Sequence, residues 1–186
     1  MLRKSKFSIV THWISDLGDS EAKTFIPYNL AIIFYSIFNF FLIGKLRLFF
    51  PNSIQSEFAI VLYCVSSLSL ILFLIFPFDR NYKGHRTLFS IYFLSILLAL
   101  ILTFLQISKT QETPSITTFL LSSTIVEELI FLFSFIKLHA KYKKIPRTLV
   151  DIQIKEKSLL IRNVCLLEWV FFFLLICSQI TIAFLI

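Results

Sequence analysis

ITTFLLSSTIVEELIFLFSFI, residues Ile116 to Ile136, is the stretch whose reading decides the fold. At about 1.5 Å per residue, a helix of this length crosses a hydrocarbon core of about 30 Å. Glu127 and Glu128 sit in its middle. A charged group at that depth costs several kcal/mol, so it is kept mainly where it faces a bundle interior, a wet cavity or a partner. Four further stretches have the length and apolarity of spans: Phe25 to Ile43, Phe58 to Pro77, Leu88 to Ile107 and Leu159 to Ile186. The whole chain is 57% hydrophobic with only 3 Gly and has a mean hydropathy of +0.83. Such a composition is far from that of a soluble domain around one core. The fold class expected is all-α, a polytopic transmembrane helical bundle with five predicted spans. Residues 25–186 read as a single transmembrane domain with short loops, leaving no room for a separate soluble domain, and no internal repeat is evident.

The formal charge of +7 has its first meaning in topology. Arg3, Lys4, Lys6, Lys23, Arg80, Lys83, Arg86 and the series from Lys137 to Arg162 place fifteen of the basic residues on one side, against Lys45, Arg47 and Lys109 on the other. By the positive-inside rule the amino terminus is cytoplasmic and the carboxyl terminus is outside. A polybasic cytoplasmic loop meets anionic lipid headgroups more often than nucleic acid, so membrane lipids, a partner membrane protein or a second copy are the expected partners, and nucleic acid is not. Cys64, Cys165 and Cys177 all lie within spans and act as small apolar residues, without the spacing of a disulfide framework or a zinc site. The apolar run before Thr11 and His12 is too short for the core of a signal peptide, so targeting to the membrane, expected to be the cell membrane, rests on the first span. In residues 1–24, Phe7, Val10, Trp13 and Leu17 recur at helical spacing, which predicts an amphipathic segment at the interface.

Polar residues inside the spans need an account of their own. Asn29, Ser36 and Asn39 share one face of the first helix and read as hydrogen-bonding glue to a neighbour, or as a ligand lining. Ser66, Ser67 and Ser69 permit close approach of the second. In the fourth, Ser123, Thr124, Glu127 and Ser134 fall in one sector, and Glu128 is rotated from Glu127 by about 100°. Glu127 is therefore expected to face the interior beside polar groups of other helices, and Glu128 to point elsewhere. The last span adds Arg162, at headgroup level, with Glu168 and Gln179 deeper.

The sequence Ile14-Ser15-Asp16-Leu17-Gly18 precedes Asn29 of the first span; Phe76-Pro77-Phe78-Asp79 is followed by His85. These elements resemble the ISELG-like and FPxD…H signatures of domain-of-unknown-function family 998, a family of six-helix membrane proteins. Leu159-Leu160-Ile161-Arg162 with Trp169 looks like a degraded form of that family's last-helix motif, without its glycine and second polar residue. The Frag–DRAM–Sfk family is also similar: its SDTG motif matches Ser15-Asp16-Leu17-Gly18 except at the third position, its helix-start histidine matches His85, and its intramembrane Glu-Trp matches Glu127-Glu128 with the Trp replaced. The first resemblance implies no established activity; the second implies a connection with lipid handling and trafficking. Both families have a helix before the SDxG element, where this sequence has only Met1 to Trp13, so the first helix of the family pattern is expected to be missing. A six-helix frame would reverse the orientation given by the charges.

By helix counting, Asp16, Asp79, His85 and Arg162 come near one membrane face. Two carboxylates, an imidazole and a guanidinium could hold a metal or a lipid headgroup or serve acid–base chemistry. The plainer reading is that Asp16 and Asp79 cap helices or pair with Arg162 and His85. Without a second histidine a catalytic zinc is disfavoured; no metal, cofactor or catalytic assignment is made. The candidate polar site is therefore Asp16, Asp79, His85, Arg162, Glu127 and Glu128. The function expected is that of a small, non-enzymatic membrane bundle binding lipid or a partner. The alternative is a lipid-acting enzyme or proton-linked transporter using the membrane glutamates and the Asp/His face. The orientation is open to a direct measurement. With Cys64, Cys165 and Cys177 replaced by Ala, a single cysteine at Ser158 should stay unlabelled by an impermeant thiol reagent added to intact cells. Labelling from outside would reverse the topology.

Overall fold

A computed structural model describes residues 24–50, 52–76, 81–109, 115–142 and 159–185; a few side chains within these ranges, that of Arg162 among them, lie outside the description. The described residues form five helices and short turns, with no strand among them: α1 (Phe25–Phe49), α2 (Ile54–Phe73), α3 (Tyr82–Ile107), α4 (Ser115–Tyr142) and α5 (Leu159–Leu185). Each is long and apolar enough to cross a membrane, and the chain is an integral membrane protein. The interfacial segment expected over residues 1–24 falls almost wholly outside the described residues.

Helix ends follow polar chemistry that hydropathy does not register. α1 continues past Ile43 to Phe49 because Lys45 and Arg47 can extend their cationic ends toward headgroups while their stems stay on the helix. The Lys45 ammonium lies 5.9 Å from the centre of the Phe41 ring, and Arg47 in the last turn complements the helix dipole. α2 starts at Ile54, four residues before Phe58, because the Ser53 hydroxyl accepts the Ser56 N–H at 3.2 Å. Its far end tightens into three-residue steps, from Leu74 N–H to Ile71 C=O and from Phe76 N–H to Phe73 C=O, ahead of Pro77. α3 starts at Tyr82 instead of Leu88, since the Asn81 side-chain oxygen Oδ1 accepts the Gly84 N–H at 3.0 Å. Gly84 is required by close approach: a Cβ there would stand 3.0 Å from a Phe76 ring carbon and 3.2 Å from the Asn81 side chain.

Consecutive helices pack side by side in chain order, and α1 returns to touch α5, so the five close into a ring. The α2–α3 and α4–α5 pairs share the most extensive interfaces. The α1–α5 seam is the slightest. Starts of α1, α3 and α5 share the basic face with the ends of α2 and α4, because each helix crosses once.

Lipid chains are as apolar as leucine, so what draws the helices together is interlocking shape and dispersion, not escape from water. Phe93 of α3 is the centre of that interlock. Its ring stacks on Phe131 of α4 at 5.0 Å and lies 5.0 Å from Phe171 of α5, with Phe89 at 4.4 Å and the Tyr92 ring edge-on at 5.3 Å. Small hydroxyl residues serve the α2 interface in another way. Ser66 and Ser67 both return their O–H to the Tyr63 carbonyl at 2.9 Å, as Ser69 does to Val65 and Ser36 to Ile32 at 2.8 Å. Their polarity is spent within their own helix, leaving a small surface for a neighbour. Outward-facing Phe34, Phe133, Phe173 and Phe184 present apolar edges to lipid. Phe93→Ala should therefore cost about 2–3 kcal/mol, the cavity term without a water-transfer term, whereas Phe34→Ala should change little. Unfolding of the two variants by SDS in mixed micelles measures the difference.

Candidate functional site

Every helix of the ring sends a polar side chain inward at mid-membrane depth. α1 supplies Tyr35 and Asn39, α2 Tyr63, α3 Tyr92, α4 Glu128 and α5 Gln179, each within about a turn of its span's midpoint. Asn39, Tyr63, Glu128 and Gln179 are completely buried, and Tyr92 is 1% exposed. The Tyr35 phenol lies beside the Tyr92 phenol and the Asn39 and Gln179 amides, with the Glu128 carboxyl in electrostatic reach. Glu128 also faces Tyr63 and Tyr92 at longer range.

These groups approach one another without closing proper hydrogen bonds. Both carboxyl oxygens of Glu127 and Glu128, both amide atoms of Asn39 and Gln179, and the Tyr35 and Tyr92 hydroxyls are buried with no hydrogen-bond partner among the described residues. Buried polar groups in proteins are nearly always paired, so a concentration of unpaired ones calls for a specific explanation. Only the α2–α3 edge of the cluster is tied, by the Thr103 hydroxyl donating to the Tyr63 oxygen at 3.3 Å.

The ring interior differs on the two sides of this cluster. Toward the basic face it is aromatic: Phe89, Phe93, Phe131 and Phe135 form a continuous layer. Beyond that layer the His85 ring, centred 3.8 Å from Phe73, has its Nδ1 at 3.0 Å from the Phe76 carbonyl. Toward the opposite face the buried side chains include Thr124, Thr117, Thr103 and Gln106. There the Gln106 amide donates to the Ser53 hydroxyl and, at 3.1 Å, to the Gln55 carbonyl oxygen, which also accepts from Lys109 at 3.2 Å.

Of the six residues expected from the sequence to make one polar site, the structure describes the side chains of three. Glu127 and Glu128 lie in the ring, while His85 lies two turns along α3 from Tyr92, with aromatic rings between. Asp16, Asp79 and the Arg162 side chain fall outside the described residues, and so does their expected convergence with His85. The expected split between the glutamates differs in the structure. Both are buried, and Glu128, expected to point elsewhere, is the more deeply buried and the one within electrostatic reach of the tyrosines. The cause is the orientation of α4, whose Phe131, one turn beyond Glu128, must meet Phe93. Sequence reasoning missed Tyr35, Tyr63 and Tyr92. Their signal was position: tyrosine in spans favours the membrane interfaces, and these three sit at mid-span. Glu168 of α5 is buried and already engaged.

No family model, no curated protein and no solved structure matches the chain.

The unpaired carboxyls have a consequence for stability opposite to that of a bonded pair. Removing a polar group with no partner removes a desolvation cost and strands nothing. Glu127→Leu and Glu128→Leu should each leave the fold unchanged or stabilise it by about 1–2 kcal/mol. Thr103→Val, which leaves the Tyr63 hydroxyl without its donor, should lower stability by about 1 kcal/mol. Melting of the three variants in detergent reads the signs directly.

Proposed function

We propose that this integral membrane protein is a non-enzymatic binding protein whose five-helix ring holds a small hydrogen-bonding ligand drawn from the bilayer. The observation carrying this reading is the set of buried, unpaired polar atoms on Tyr35, Asn39, Tyr92, Glu128 and Gln179, contributed by four helices to one interior. A ligand bearing donors and acceptors would complete bonds that the chain leaves open. The inward direction of these groups points to a small molecule held inside the ring. Entry from the bilayer has a natural place at the slight α1–α5 seam, which has Tyr35 on one side and Gln179 on the other. The resemblance of Asp16, Asp79 and His85 to the signatures of family 998, and of the SDxG element to the Frag–DRAM–Sfk family, adds a leaning toward lipid handling. The proposed location is the cell membrane, with the basic face on its anionic cytoplasmic leaflet.

A second reading, proton-linked transport, draws on the consecutive carboxyls Glu127 and Glu128 at mid-membrane depth. It differs in requiring access to the carboxyls from both sides in turn. Native mass spectrometry of the chain released from lipid nanodiscs tests the binding reading. A discrete adduct should accompany the wild-type chain and be lost from the double variant Asn39→Leu, Gln179→Leu. A bare mass for wild type, together with no thermal stabilisation by total lipid extract, would overturn it.

A further inference from the structure

We infer that the ring interior is a site for an organic monocation, an ammonium-type or phosphonium-type group carrying apolar substituents, with Glu128 as its counter-charge. This rests on the binding reading above and names the chemistry of the ligand. Glu127 and Glu128 are adjacent carboxyls with no hydrogen-bond partner among the described residues, so a proton lost from either leaves one negative charge that a bound positive group would balance. Asn39 and Gln179, both fully buried and unpaired, add carbonyl oxygens that accept from N–H or polarised C–H donors.

The walls decide between kinds of cation. Hard divalent ions take six or more oxygen ligands, or several waters with carboxylates. Among the described residues no three His, Cys, Asp or Glu side chains gather. The neighbouring surface is aromatic instead: Tyr35 and Tyr92 lie within electrostatic reach of Glu128, Phe131 follows it by one turn, and Phe93 stacks on Phe131. Aromatic faces attract a diffuse organic cation, and more strongly where water is excluded. A cation with apolar substituents is also the kind that partitions into a bilayer and reaches mid-depth from the lipid side, through the α1–α5 seam.

Binding at a carboxylate competes with a proton. The titratable groups facing Glu128 are Glu127 on its own helix and the phenols of Tyr35, Tyr63 and Tyr92 from α1, α2 and α3; α5 presents the Gln179 amide, with Glu168 buried three turns away. Phenols ionise only in alkaline solution, so over the neutral and acidic range the competition is between the cation and protons on the carboxyl pair. Acid should weaken the cation and alkali strengthen it.

The test is equilibrium binding of radiolabelled tetraphenylphosphonium to the full chain in lipid nanodiscs between pH 6 and pH 9. Wild type should bind one per chain, with affinity falling by up to about tenfold per pH unit as a proton takes the site. Glu128→Gln should lose at least about tenfold in affinity and its pH dependence, with its melting temperature unchanged or raised. Glu57→Gln, at an exposed position outside the ring, should bind as wild type does. Equal binding by Glu128→Gln and wild type, or no saturable binding at any pH, would overturn the inference. If a neutral adduct persists in the mass spectrum and the phosphonium never displaces it, the cation assignment falls while the binding reading stands. If neither the adduct nor the cation binds, both fall.

Discussion

The contact of Phe93 with Phe131 and Phe171 is the interaction on which the rest of the structure depends. In a bilayer no hydrophobic force gathers helices, so complementary shape must do so, and this aromatic junction joins α3 to both members of the α4–α5 pair. It also fixes the rotation of α4. Once Phe131 is turned toward Phe93, the residues a turn earlier are carried inward with it, and Glu127 and Glu128 are buried as a geometric consequence. The polar centre is thus held mainly by the aromatic packing beside it, with the Thr103–Tyr63 bond tying one edge.

Stability and function pull in different directions at that centre. The serines of α2 satisfy themselves on their own backbone and ask nothing of neighbours, whereas the carboxyls and amides of the ring are left open. A sequence selected only for a firm bundle would place leucine at positions 127 and 128. That they are glutamate instead is a physical reason to look for a role inside the ring.

Much of the architecture was legible because membrane thickness imposes a length on any apolar helix, and five stretches met it. Boundaries were less legible: Ser53 and Asn81 start helices through side-chain bonds, and Lys45 and Arg47 ride on a helix that hydropathy would have ended. The depth of the glutamates was readable from their place in an apolar run. Their direction was not, since about 100° of rotation separates neighbours and only packing fixes its origin. Tyr35, Tyr63 and Tyr92 escaped notice because, in a chain with 23 Phe, a ring at mid-span looks like packing until its hydroxyl is placed. The Asp16, Asp79 and Arg162 grouping depends on residues beyond those described, and the ring interior stands apart from the His85 end of α3.

The depth of Glu128 bears on how a charge held there would respond to membrane voltage. Residue 128 lies within two residues of the middle of its span, so a charge arriving from either face crosses about half of the hydrocarbon thickness. The full energy is about 2.3 kcal/mol per charge per 100 mV, and a cation held at mid-span takes up about half of it whichever side it comes from. Its occupancy would therefore shift with potential to the same extent for entry from either face.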